Sequence, residues 1–138
     1  MIPAWLRSEV IQRAADRCEY CGLSQVGQEA AFHIDHVVPS SAGGPTSLEN
    51  LALACVSCSL RKGAKRRALD PISGEEVALF NPRVDSWADH FRWNDVEVLP
   101  LTPKGRATAK LLRLNRDLML AIREEEKLRH RHPPVRAV

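Results

Sequence analysis

No stretch of this 138-residue chain approaches the roughly 20 consecutive apolar residues that cross a bilayer, which sets aside a helical membrane span. Met1 to Arg7 has neither a charged leader region nor a long apolar core, so no secretory signal is expected. Together these absences predict a cytoplasmic protein with no membrane partner. The chain also lacks internal repeats and low-complexity tracts. It has only four cysteines, and all four fall in two Cys-x-x-Cys pairs. The net charge of +3 is mild, and its distribution is more informative than its size. Arg61, Lys62, Lys65, Arg66 and Arg67 follow the second cysteine pair with no acid among them. Such a run fits either a solvated helix end or a polyanion-binding surface.

The cysteines are Cys18 and Cys21, then Cys55 and Cys58. Two pairs of thiolates can converge on one tetrahedral zinc ion. Two disulfides or a redox dithiol are the alternatives, and an intracellular setting disfavours structural disulfides. The segment between the pairs, residues 22 to 54, is long enough to hold structure of its own. At its centre lies Phe32-His33-Ile34-Asp35-His36-Val37-Val38-Pro39. Read as a strand, it turns His33 and Asp35 to one face and Ile34 and His36 to the other. Pro39 ends the strand, and Ser40 to Pro45, with Gly43 and Gly44, forms a loop. Leu51 to Ala54 is a second strand, antiparallel to the first. A helix starts within the second cysteine pair, runs to Lys62 and is capped by Gly63.

Around this centre the pattern predicts an amphipathic helix over 4–16, with Leu6, Val10 and Ala14 inward and Arg7, Arg13 and Arg17 outward. Residues 24–31 read as a loop. Asp70 to Gly74 is a turn signal, and 77–80 is a short strand. Trp87, Phe91 and Trp93 read as a core plug. Thr102-Pro103 opens a helix that breaks or restarts near 115–117 and continues to about 128. Leu111, Leu114, Leu118 and Ile122 form its buried stripe. Residues 130–138 read as a frayed tail. The expected fold class is α+β in a single domain over 1–138, with a core at 18–63 flanked by the N-terminal helix and by an extension over 70–130 that forms a hairpin plus helices.

Phosphodiester hydrolysis needs a base for water and positive charge for the phosphate. A neutral histidine supplies the first near neutral pH, and a divalent ion can supply the second. The order Cys18-x-x-Cys21, His33-Ile34-Asp35-His36, Pro39, Gly43-Gly44, Asn50-Leu51, Cys55-x-x-Cys58, Lys62-Gly63 resembles the HNH endonucleases of the ββα-metal, or His-Me finger, group. The tail, from Asp70-Pro71 through Asn81-Pro82-Arg83 to Gly105-Arg106, is similar to a subgroup of bacterial HNH proteins.

The resemblance implies a set of roles. His36 is the general base, and Asn50 fixes the loop and orients that base. Asp35 binds a catalytic divalent ion: Mg²⁺, Mn²⁺, Ni²⁺ or Zn²⁺. Cys18, Cys21, Cys55 and Cys58 hold a structural Zn²⁺. Ser59 stands where the family usually has a second metal ligand, asparagine or histidine, and a hydroxyl is a weaker ligand than either. His33, Arg61, Lys62, Lys65, Arg66 and Arg67 are the candidate nucleic-acid contacts. The implied activity is metal-dependent cleavage of DNA with little sequence preference, leaving 5′-phosphate and 3′-hydroxyl ends. The rivals are a zinc-stabilised nucleic-acid-binding module with a decayed centre, and a redox or zinc-storage use of the thiols.

Overall fold

A computed structural model describes residues 1–135. The first helix, α1 (Ala4–Arg13), buries Leu6 and Val10 as the spacing predicts. It stops three residues short of the expected end because Ala15 and Asp16 take left-handed backbone angles, φ 53° and 58°, which turn the chain out of the helix. Its arginines are not merely the wet face. Arg13 donates to the carbonyls of Leu48 and Leu51, and Arg17 to that of Gly22. The first cysteine pair follows directly. The predicted loop over 24–31 contains a short 3-10 turn at Gln25–Gly27, with the Gln25 side chain donating to the carbonyls of Gln28 and Ala30.

The predicted hairpin is present: β1 (His33–His36) and β2 (Leu51–Ala54) pair antiparallel, with His33 opposite Ala54 and His36 opposite Leu51. All four β2 residues are buried, and α1 packs against them. Helix α2 (Val56–Lys62) follows at once, capped by the Cys55 sulfur, which accepts from the Cys58 N–H. Gly63 ends it at φ 53°.

Beyond α2 lie two more hairpins, each a separate two-stranded sheet. Strand β3 (Arg67–Leu69) pairs with β4 (Glu76–Ala78). The Asp70 turn between them is held by its own carboxylate, which accepts from Ile72 N–H, Ser73 N–H and the Ser73 hydroxyl and takes a bidentate contact from Arg106 at 2.8 Å. That contact, first among several, holds the Asp70 carboxyl well below the usual range. The hairpin expected in the extension is present, and its first strand, β3, begins inside the basic run and buries little. Helix α3 (Trp87–His90) leads into β5 (Phe91–Asn94), which pairs with β6 (Glu97–Pro100) across a turn at Asp95, φ 54°. Helix α4 (Pro103–Leu111) is capped as predicted, the Thr102 hydroxyl accepting from Gly105 N–H. Helix α5 (Asp117–Leu128) is a restart.

The restart corrects the leucine stripe. Leu114 is buried, whereas Leu118 is 61% exposed. The break at 112–116 resets the helical phase, so α5 turns Met119, Arg123 and Glu126 inward instead. The aromatic plug is borne out by Trp87 and Phe91, both buried, with ring centroids 5.0 Å apart. One apolar cluster joins α1, the four cysteines and β2 to Phe80, Trp87, Phe91, Val98, Leu112 and Met119. The tail is a further correction. His132 is buried against the edge of Trp93, centroids 4.6 Å apart, and its Nε2 lies 2.8 Å from the Asp95 carbonyl. The end of the predicted tail, 136–138, lies outside the described residues.

Candidate active site and metal centre

Each Cys-x-x-Cys pair makes the same tight turn. The N–H of Cys21 points at the Cys18 sulfur, 3.5 Å away, and that of Cys58 at the Cys55 sulfur, 3.4 Å away. The four sulfurs all lie within 4.8 Å of one another, buried, with Cys21 and Cys55 3.8 Å apart. Zinc–sulfur bonds near 2.3 Å in a tetrahedron place sulfurs about 3.8 Å apart, so the set fits zinc. All four cysteines are free thiols, which removes the disulfide alternative. Contacts among the sulfurs, that with Cys18 first, push Cys21 and Cys58 above the ordinary thiol range and hold Cys55 below it. A divalent cation at the centre removes that conflict by binding thiolates.

The first cysteine turn also holds the hairpin. The Tyr20 hydroxyl donates to Asp35 of β1, and the Glu19 N–H and carboxylate bond the backbone carbonyl and N–H of Leu53 in β2. His33, Ile34, Asp35, His36, Pro39, Ser40, Ser41, Ser59, Gly63 and Ala64 line a single open cleft of ≈ 460 Å³. Strand alternation holds: His33 and Asp35 both face α2. His33 Nδ1 lies 2.8 Å from Ser59 Oγ. Lys62 Nζ lies 3.2 Å from Asp35 Oδ2. His36 turns instead to the glycine loop, its Nε2 2.8 Å from Thr46 Oγ1.

Asn50 holds that loop. Its Oδ1 accepts from Val38 N–H, and its Nδ2 donates to the carbonyls of Val38 and Pro45, all at 2.9 Å. The side chain is buried, and the loop folds back so closely that a Cβ on Gly44 would meet the Val38 carbonyl oxygen at 1.8 Å. Glycine is required at 44 for space, whereas Gly43 adopts φ 84° with open space around it.

Asp35 is the best-held side chain in the cleft. It is 9% exposed and accepts from the Tyr20 hydroxyl at 2.8 Å. Burial raises its carboxyl above the ordinary value, although Lys62 and Tyr20 pull the other way. Tyr20 is 2% exposed, and burial followed by the Asp35 charge lifts its phenol well above its usual range, so it stays a donor.

The basic run divides. Lys62 leaves the surface: it is 2% exposed, and its Nζ also approaches the carbonyls of His36 and Gly63. Arg61 donates to Ser57 Oγ. Arg67 pairs with Glu76 across the β3–β4 hairpin. Lys65 and Arg66 are exposed. The sequence grouped these residues by spacing, but helix end, turn and strand send them in different directions.

Among the described residues, the four cysteines are the only group that gathers three or more Cys, His or carboxylate ligand atoms around one point. The proposed ligands of a catalytic ion do not fit it as they stand. Asp35 is already held by Tyr20 and Lys62, and Ser59 lies against His33. Sequence reasoning missed Tyr20, Thr46 and the inward turn of Lys62. Tyr20 lies between two cysteines and Thr46 in a polar loop, where no periodicity marks a partner.

A short antiparallel hairpin running into a helix, with a four-cysteine cluster at its base, defines a ββα unit of metal-site type within an α+β fold. The family model described as HNH endonuclease matches residues 18–65, so this segment is similar to an HNH domain. The match spans both cysteine pairs, the β1–β2 hairpin and α2. A comparison with curated proteins finds no match. HNH domains generally bind nucleic acids and are typically nucleases.

Proposed function

We propose that the HNH domain is a DNA endonuclease centre that hydrolyses phosphodiesters with His36 as the general base, on a frame held by zinc at Cys18, Cys21, Cys55 and Cys58. The observation that carries this reading is the placement of His36. It lines an open cleft beside His33 and Asp35, and one ring nitrogen is fixed by Thr46. With the Thr46 hydroxyl accepting from Nε2–H, Nδ1 keeps the lone pair that takes a proton from water. Asn50 acts at one remove, by holding the backbone that carries the His36 loop. In this reading His33, which lines the same cleft, donates to a phosphate oxygen, and the exposed Lys65 and Arg66 are further backbone contacts of little sequence preference.

A specific observation favours the rival reading, a zinc-stabilised binding module: Asp35 is occupied by Lys62 and Tyr20. The deciding experiment is plasmid nicking by wild type and His36→Ala across Mg²⁺, Mn²⁺, Ni²⁺ and Zn²⁺. Nicking by the wild type that falls at least about 10²-fold in His36→Ala, the usual loss for a general base, supports the nuclease. DNA binding without cleavage in every ion supports the binding module.

A further inference from the structure

A lysine buried at 2% exposure needs a strong reason. Lys62 is the last residue of α2, where a cation also meets the negative end of the helix. Its ammonium lies 3.2 Å from Asp35 Oδ2 and 3.5 Å from Oδ1. The two carbonyls it also approaches are those of His36 and Gly63, at 3.4 and 3.5 Å. Asp35 lines the open cleft, whereas Lys62 is not among the lining residues. The carboxylate therefore stands between the cleft and a buried positive charge.

The geometry points to Lys62 as a built-in counter-charge that holds down the affinity of Asp35 for a divalent cation. The inference rests on the reading of this cleft as a phosphodiesterase centre, and it concerns the binding of the ion alone. A carboxylate attracts a divalent ion with its full charge only when no other cation neutralises it. Opposite charges at such separations interact strongly in a partly desolvated site. An ion entering from the cleft meets an Asp35 whose charge is already largely balanced. Ser59, the neighbouring oxygen on α2, is uncharged and engaged with His33, so it does not make up the difference. The free protein then holds such an ion weakly, and the ion depends on the negative charge of substrate phosphate.

The opposite role is also physically reasonable and gives the opposite sign. A lysine that merely orients a carboxylate toward a metal strengthens binding, and losing such a partner costs about 10–100-fold in affinity. Mn²⁺ binding, measured by electron paramagnetic resonance on the zinc-loaded, DNA-free protein at pH 8, separates the two. Lys62→Met keeps the apolar stem and removes the charge. The expected result is Mn²⁺ binding about 10-fold tighter than wild type, in the size range of such partner effects, and lost again in Lys62→Met with Asp35→Asn. Weaker or unchanged binding in Lys62→Met overturns the proposal, and so does tighter binding that survives Asp35→Asn.

Removing one partner of a buried pair can unfold a protein. The wild type therefore provides a second test that needs no Lys62 variant. Its Mn²⁺ affinity without DNA should be no tighter than about millimolar, the weak end of carboxylate sites. Micromolar binding that Asp35→Asn abolishes overturns the counter-charge. None of these readouts uses cleavage, so loss of the nuclease reading in the nicking assay is seen separately from loss of this one.

Discussion

Thr46 illustrates how one loop residue holds the ring of another. His36 faces the loop and not the helix, and its Nε2 sits 2.8 Å from the Thr46 hydroxyl. A single neutral hydrogen bond is worth about 1 kcal/mol net. Thr46→Val removes that bond at nearly constant volume from an exposed position. It should leave thermal stability within about 0.5 kcal/mol of wild type and slow nicking roughly 5-fold, the equivalent of that one bond. Plasmid nicking beside a urea titration checks both expectations. An unchanged rate would mean that the Thr46 bond to His36 has no part in the proposed reaction. At the same scale, Ser59 and His33 form a pair that no spacing rule announces. The sequence marks Ser59 only by its place after Cys58. Its hydroxyl turns out to lie against the imidazole two strand positions before Asp35.

Among the elements, the connection from β1 to β2 is the most tightly specified. Asn50 ties both ends of its turn, and Gly44 lies against the Val38 carbonyl. The two neighbouring glycines should therefore respond differently to alanine. Gly43→Ala meets no neighbour and carries only the left-handed backbone cost, about 1–2 kcal/mol. Gly44→Ala collides with main chain and must push the loop off Asn50. Its cost should exceed that of Gly43→Ala, with the roughly 1–3 kcal/mol of overpacking as a guide and the lost Asn50 bonds added. Urea unfolding of the two variants gives the comparison, and equal midpoints would show that the loop yields freely. The β3–β4 hairpin is an element of another kind. It has almost no core, and its turn is held by Asp70 and Arg106 from α4. That contact joins residues 36 positions apart, and α4 packs against both strands.

For the whole molecule, the cysteine cluster is the junction between the HNH segment and the C-terminal extension. The Trp87 indole donates to the Tyr20 carbonyl inside the first cysteine turn. Arg123 of α5, 2% exposed, lies over Trp93 and donates to the carbonyls of Leu114 and Val96. It lines a small cavity with Cys21. Structural zinc contributes directly to folding. Purified protein should contain about one zinc per chain, and a chelator that removes it should abolish cooperative unfolding in the extension as well as in the HNH segment. Elemental analysis, with Trp fluorescence followed during chelation, tests this, because Trp87 and Trp93 report on the extension. A zinc-free protein with unchanged fluorescence and unfolding would exclude the cluster as the anchor.

The sequence by itself determined the local structure and the chemistry carried by spacing. Alternation in 33–36, the apolar run 51–54, the proline and glycines between them and the paired cysteines each act within a few residues. They made the β1–β2–α2 unit, its antiparallel pairing and the convergence of four sulfurs legible from the sequence, whereas the register came from the fold. Tertiary structure decided which charges are free. Lys62 and Lys65 are three residues apart in one basic run, yet one is buried against Asp35 while the other is exposed. The difference depends on where α2 ends relative to β1. Leu118 is exposed and Arg123 buried for a related reason, since a break at 112–116 reset the helical phase. Periodicity measures a residue's angle only within an unbroken element. Burial of a charge depends on a partner supplied by another part of the chain, and sequence distance does not encode that meeting.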